Sequence, residues 1–121
     1  MAYNIKKEFE KKDPLWIQFH QIEDKVKNKS SELSRLIPEM MKLAEKFLIR
    51  YSDREDVRDI LVAFENLTDL LLYYYGEEAK AIYEDGLVGD ILSSFDSLAA
   101  DYDEEIQKLK DRLNSYLYES N

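Results

Sequence analysis

Apolar residues recur every three or four positions through almost the whole chain, and this spacing constrains the fold more than any other feature of the sequence. In the clearest stretch, between positions 57 and 74, the apolar residues are separated by steps of 3, 4, 3, 4 and 3. This repeat places one apolar stripe along one side of an α-helix. The chain has only three glycines, which is too few for a turn-rich all-β protein. The sequence therefore predicts an all-α fold.

The first half of the chain carries one clear helix start and one ambiguous break. Asp13-Pro14 predicts a start, because Asp accepts hydrogen bonds from free backbone N–H groups and Pro at the first helical position sacrifices no bond. The stretch 28–31 carries signals both for ending and for starting a helix. The seven-residue repeat of the apolar stripe nevertheless continues through 28–31, since Val26 and Leu33 are seven residues apart. Residues 14–51 could therefore form one long helix or two helices, and we favour a turn or a sharp kink near 28–31.

The second half contains the strongest helix prediction of the chain. Ser52-Asp53 predicts its start, and Gly76 predicts its end in the left-handed conformation that glycine tolerates best. A short helical segment is expected over 77–84, and Gly86 and Gly89 are expected to bracket a turn or loop.

A long final helix is expected from about residue 87 or 90 to 118, because the apolar stripe continues through Leu98, Tyr102 and Ile106. Such a helix would extend roughly 43 Å. Helices of this kind bury their stripes best side by side. We therefore expect a single domain over 1–121, built as an antiparallel helical bundle of three to four main helices with a short charged N-terminal arm over 1–12 and a long C-terminal helix.

The net charge of −9 is distributed unevenly. Residues 1–52 carry 11 basic and 8 acidic residues, a balance of +3, whereas the strongly acidic half, 53–121, carries 6 and 18, a balance of −12. Such a surface repels nucleic-acid phosphates and anionic membranes, and it favours the approach of a basic protein. No apolar run is long enough to span a membrane and the N-terminus has no apolar leader, so we expect a cytoplasmic protein.

The candidates for catalysis are few, because the chain has no cysteine and one histidine. Glu65 and Asp69, spaced as i and i+4, would project from one helix face as Mg²⁺ ligands do. The Glu-Glu-x-x-Glu motif of all-α nucleoside-triphosphate pyrophosphatases is incomplete, since Glu77-Glu78 is followed by Ala81. His20 is expected at the surface or its boundary, and Trp16 in the core or at its boundary. We therefore predict no catalytic residue, no metal site and no cofactor, with a Mg²⁺-dependent all-α nucleotide hydrolase as a less favoured alternative.

The run 70–75, three leucines followed by three tyrosines, indicates binding. Successive helical residues are about 100° apart, so this run covers the whole circumference and at least one tyrosine must point away from the core. Tyrosine is favoured at interfaces because its ring buries area while its hydroxyl stays hydrated. The candidate interaction residues combine this run with the nearby carboxylates: Leu72, Tyr73, Tyr75, Glu77, Glu78, Glu84, Asp85 and Asp90.

These observations favour a non-enzymatic acidic helical protein that acts by protein–protein interaction. It is expected to dock on a basic surface of a partner protein, as an inhibitor, adaptor or regulator, and to self-associate as a homodimer or higher oligomer. In general character it resembles small acidic helical proteins of phages and archaeal viruses, some of which occupy a host protein's nucleic-acid groove. The alternative is a structural subunit or assembly factor of a larger complex.

Overall fold

The computed structural model of the chain describes residues 13–98 and 102–118 and confirms the all-α prediction. No helix in these two ranges has the length and apolar character needed to cross a membrane. The charged arm expected over 1–12 lies outside the described residues. The two ranges contain more helices than the three to four main ones expected: α1 (Pro14–Asn28), α2 (Leu33–Arg50), α3 (Arg54–Tyr75), α4 (Glu77–Tyr83), α5 (Gly86–Leu98) and α6 (Tyr102–Tyr118).

Helix α1 begins at the predicted position, and its cap also joins it to the end of α2. Asp13 is buried, and its Oδ1 accepts a hydrogen bond from the backbone N of Leu15 at 2.9 Å. The same oxygen accepts from Arg50 Nη1 at 2.8 Å, and the Tyr51 hydroxyl donates to Oδ2. The side chain therefore satisfies a free helix N–H group and joins two segments that are far apart in sequence.

A turn separates α1 from α2, so the favoured alternative is confirmed and a single helix over 14–51 is wrong. Lys29 adopts a left-handed conformation with φ 50° and ψ 41°, and Ser30 N donates to Lys25 O at 3.0 Å. This arrangement ends a helix by satisfying its last carbonyl groups. Lys25 Nζ also lies 3.2 Å from Glu39 Oε2, which shows that the two helices run back along each other.

Helix α3 is central to the core and contacts α1, α2, α4 and α5. Its Phe64 ring stacks on Phe95 of α5 at 5.4 Å between centroids and meets Phe19 and Phe47 edge to face. Edge-to-face and offset pairs of this kind add to the stability that burial alone provides. Trp16 is 1% exposed and packs on Phe47, which confirms the core placement expected for it.

The prediction that Gly86 and Gly89 bracket a turn or loop is wrong, because both lie inside α5. Gly89 leaves space for the backbone of α4, since a Cβ built on it would lie 2.1 Å from the carbonyl oxygen of Tyr83. The end of α4 therefore contacts the backbone of α5 directly, and only glycine permits that approach.

The single long C-terminal helix is also wrong. The Arg112 guanidinium in α6 donates to the Ser94 hydroxyl in α5, although these residues are 18 positions apart in sequence. In one straight helix they would be separated by about 27 Å. The two helices therefore pack side by side, and α6 buries Leu109 and Leu113.

Candidate functional site: an acidic surface around helix α4

The candidate interaction residues extend from the end of α3 to the first turns of α5: Leu72, Tyr73 and Tyr75 lie in α3, Glu77 and Glu78 in α4, Glu84 and Asp85 after α4, and Asp90 in α5. The first five surround Gly76, which joins α3 to α4. Its φ of +58° is open to glycine but strained for other residues. Gly76 N donates to Leu72 O, and Gly76 O accepts from Lys80 N, both at 3.0 Å. Gly76 therefore ends α3 at the predicted position and also starts α4 without an intervening loop. Its ψ of −123° differs from the left-handed helical conformation that was expected there.

Helix α4 is held in place through its last residue, Tyr83. The Tyr83 hydroxyl donates to the carboxylate of Asp96 in α5 and lies 3.2 Å from the carbonyl oxygen of Leu92. Thr68 Oγ1 of α3 donates to Glu65 O at 2.7 Å and lies 3.4 Å from Asp96 Oδ1. Burial raises the pKa of Tyr83 well above its usual range, and the hydrogen bond to Asp96 raises it further.

Sequence reasoning missed this polar contact. Tyr83 and Asp96 are 13 residues apart, and neither belongs to a motif that would connect them. The available signals were a tyrosine at the end of a short apolar pattern and an acidic residue beside the stripe of the next helix.

A shallow groove of about 500 Å³ runs between α3 and α4, and its lining is more apolar than polar. Leu72 and the Tyr83 ring provide apolar surface, whereas Glu77 and Glu84 provide carboxylates. Lys80 and Gly76 complete the lining. The groove therefore offers a site for an apolar side chain with negative charge beside it.

The structure separates the two candidate tyrosines. Tyr73 is 80% exposed, and its ring meets that of Tyr74 edge to face at 4.9 Å. Tyr75 instead donates its hydroxyl proton to the carbonyl oxygen of Ser31 at 2.6 Å, and Lys29 Nζ lies 5.3 Å from its ring centroid. Burial raises the pKa of Tyr75, and the negative charge of Glu78 adds to that effect. Tyr73 is therefore available to a partner, whereas Tyr75 joins α3 to the turn between α1 and α2.

The candidate carboxylates are all exposed. Within the described residues, none of them forms a side-chain hydrogen bond or an ion pair, and Lys80 is the only cation between positions 59 and 98. We refer to the following residues as the acidic surface: Leu72, Tyr73, Glu77, Glu78, Lys80, Tyr83, Glu84, Asp85 and Asp90.

The hypothetical Mg²⁺ pair lies on the neighbouring face of α3. Burial raises the pKa of Glu65, and the negative charges of Asp96 and Asp69 raise it further. Glu65 therefore lies close enough to Asp69 and Asp96 for their negative charges to raise its pKa. The two described ranges nevertheless contain no group of three or more His, Asp and Glu side chains that could hold a metal ion. His20 is half-buried, as expected, and its Nδ1 lies 2.6 Å from Glu23 Oε1.

A scan against protein-family models, a search of curated proteins and a search of solved structures each found no match to this chain. Its own residues are therefore the basis for inferring what it does. The acidic surface combines an exposed aromatic ring, an apolar groove and exposed carboxylates. In chemical terms it can attract a cation, stack on a guanidinium group and bury an apolar side chain.

Proposed function

We propose that this protein is a non-enzymatic binding domain that docks its acidic surface on a basic segment of a partner protein. The observation that carries this proposal is Tyr73, which is 80% exposed although it belongs to a helix that forms the centre of the core. Tyr73 directly follows Leu72, which lines the groove. Exposed tyrosines are typical interface anchors, because the ring provides buried area at low entropic cost.

The partner that fits best is a basic amphipathic helix. One apolar side chain of such a helix would enter the groove between Leu72 and Tyr83. Arg residues one turn away would face the carboxylates of Glu77 and Glu84 and the ring of Tyr73. Phosphate groups and anionic lipids do not fit this surface, since its charge is almost entirely negative and would repel them.

We also propose that the protein self-associates through a different surface. An acidic surface cannot pair well with its own copy, because like charges would face each other across the interface. Ile49 of α2 is 75% exposed and lines a groove with residues of α6, whereas the acidic surface is built from residues of α3, α4 and α5 and the turn before α5.

The docking proposal is tested with a fluorescently labelled amphipathic helical peptide rich in Arg and Leu, whose binding is followed by anisotropy. Tyr73→Ala should raise the Kd about tenfold or more, the effect expected for an interface anchor. The pair Glu77→Lys/Glu84→Lys should weaken binding by a similar factor and reduce its dependence on salt. A peptide with Glu in place of each Arg should not bind.

The matched control is Asp24→Lys/Glu104→Lys, which changes the net charge by the same amount at exposed positions on α1 and α6. These substitutions should leave the Kd within about threefold of the original, because their charges act from a greater distance through screening salt. Equal weakening by the control pair and the Glu77/Glu84 pair would show that only total charge matters, and the proposal would then fail.

A further inference from the structure

A second groove lies between α2 and α6, and it differs from the acidic surface in its charge. It encloses about 230 Å³ and is lined by Glu45, Leu48 and Ile49 on α2 and by Lys110, Leu113 and Asn114 on α6. Leu48 and Leu113 form its buried floor, whereas Ile49 is 75% exposed at its edge. Covering an exposed isoleucine beside an apolar floor would remove apolar surface from water, which is favourable.

The two walls of this groove carry opposite charges. Glu45 on the α2 wall accepts a hydrogen bond from the Tyr118 hydroxyl at 2.7 Å, and this bond fixes the position of its carboxylate. Lys110 on the α6 wall forms no ion pair with any residue in 13–98 or 102–118. A surface that faces this groove therefore needs a cation opposite one wall and an anion opposite the other.

From this geometry we infer that the occupant is a second copy of the same chain, related by a twofold axis along the groove. Such an axis exchanges the walls, so α2 of each copy faces α6 of the other. Glu45 of each copy then meets Lys110 of the other, and both Ile49 side chains are buried against the apolar floors. The inference rests on the self-association part of the proposed function and locates its interface.

Two other grooves that the structure describes suit this role less well. The acidic surface would place carboxylates against carboxylates under the same operation. The groove between α1 and α2 is lined by Lys25, Lys42 and Lys46 against a single acidic residue, Glu39, so it would repel its own copy as well. Opposite charges on opposite walls, together with an apolar floor, distinguish the α2–α6 groove from these two.

The first test compares two exposed isoleucines by sedimentation equilibrium of the full chain over a range of concentrations. Ile49→Ser should raise the dimer Kd about tenfold or more, because it removes an apolar side chain that the dimer would bury. Ile17→Ser on α1, where the side chain is 52% exposed, should leave it within about threefold, because Ser and Ile have similar helix propensities and no interface is lost. Circular dichroism should show unchanged helix content for both variants.

The second test exchanges the charges. Glu45→Lys and Lys110→Glu should each weaken the dimer about tenfold, because each places like charges opposite one another. The double variant should restore the Kd to within about threefold of the original, which a structural role of either residue inside one chain would not produce.

A monomeric wild-type chain at all concentrations, or a dimer that Ile49→Ser leaves intact, would overturn the inference. If the double variant Glu45→Lys/Lys110→Glu does not recover the dimer Kd of the original chain, the twofold arrangement would be overturned. Binding of the Arg- and Leu-rich peptide should be unchanged by Ile49→Ser. A monomer that still binds this peptide would therefore refute the dimer alone, whereas a dimer that does not bind it would refute only the proposed docking.

Discussion

The two glycines of α5 should respond oppositely to the same substitution by alanine. A Cβ added at Gly89 would lie 2.1 Å from the carbonyl oxygen of Tyr83, 3.0 Å from its carbonyl carbon and 3.4 Å from that of Glu84. These are backbone atoms, so no side-chain rotation can relieve the contact, and α4 must move away from α5. A Cβ added at Gly86 would meet nothing within 4 Å.

The expected magnitudes follow from these distances. Overpacking costs about 1–3 kcal/mol, and the backbone contact at Gly89 places it at the upper end, near 3 kcal/mol. Alanine recovers about 1 kcal/mol of that through its higher helix propensity. Gly89→Ala should therefore lower the free energy of unfolding by about 2 kcal/mol. Gly86→Ala should raise it by about 0.5 kcal/mol, because Gly86 is the first residue of the helix and gains less than an interior position.

Thermal unfolding followed by circular dichroism measures both effects. For a chain of this length, 1 kcal/mol corresponds to roughly 4 °C, so Gly89→Ala should lower Tm by about 8 °C and Gly86→Ala should raise it by about 2 °C. Urea unfolding should give the same order of stability. If Gly89→Ala melts at or above the wild-type temperature, the close approach of α4 to α5 is incorrect, and so is the explanation of why Gly89 lies inside a helix.

Three further substitutions test contacts that join distant parts of the chain. Tyr83→Phe should cost about 1.5–3 kcal/mol, because it removes a hydrogen bond to the Asp96 carboxylate; urea unfolding measures this loss. The raised pKa of Tyr83 means that the folded state keeps a proton which the unfolded state loses above about pH 10, so stability should fall above that pH and fall less steeply in the variant. Asp13→Ala should cost about 2–3 kcal/mol in chemical unfolding, because it removes a helix cap and two charge-assisted hydrogen bonds. Tyr75→Phe should lower stability by about 1 kcal/mol, whereas Tyr73→Phe, its exposed neighbour, should leave the Tm unchanged; equal Tm values for the two variants would contradict the separate roles assigned to them.

The parts of the fold that the sequence predicted correctly depend on neighbours along the chain. The helix-capping hydrogen bonds of Asp13 and Asp53 and the end of α3 at Gly76 involve residues within four positions, so the local sequence contains both partners of each bond. The exposure of one tyrosine in 70–75 was predictable for a similar reason, because helix geometry alone forces it. That prediction is confirmed by Tyr73.

The parts that were predicted wrongly, or missed, depend on residues that meet only in the folded structure. The apolar stripe continues from Leu98 to Tyr102 with no glycine or proline nearby, so nothing local predicts that α6 packs back on α5. The contact of Arg112 with Ser94 shows that it does. Gly89 was interpreted as a loop residue because its role, space for the end of α4, depends on another helix. The bond between Tyr83 and Asp96 that holds the candidate site has the same origin.

Two carboxylates of the acidic surface lie at opposite ends of α4, and this difference allows a role in binding to be tested separately from a role in folding. Glu77 lies in the first turn of α4, where the positive end of the helix dipole stabilises a carboxylate by about 0.3–1 kcal/mol. Glu84 caps the opposite end, where the dipole disfavours its charge, and its side chain has no hydrogen-bond partner among the described residues.

The dipole of α4 therefore gives a reason for Glu77 and none for Glu84. Glu84→Gln should leave Tm unchanged or slightly higher while weakening the binding of the Arg- and Leu-rich peptide. Glu77→Gln should lower both the thermal stability and the affinity for this peptide. If Glu84→Gln leaves the affinity for the peptide unaltered, the negative charge of Glu84 contributes to solubility and not to binding. The docking proposal would then lack support from the one carboxylate that the dipole of α4 does not stabilise.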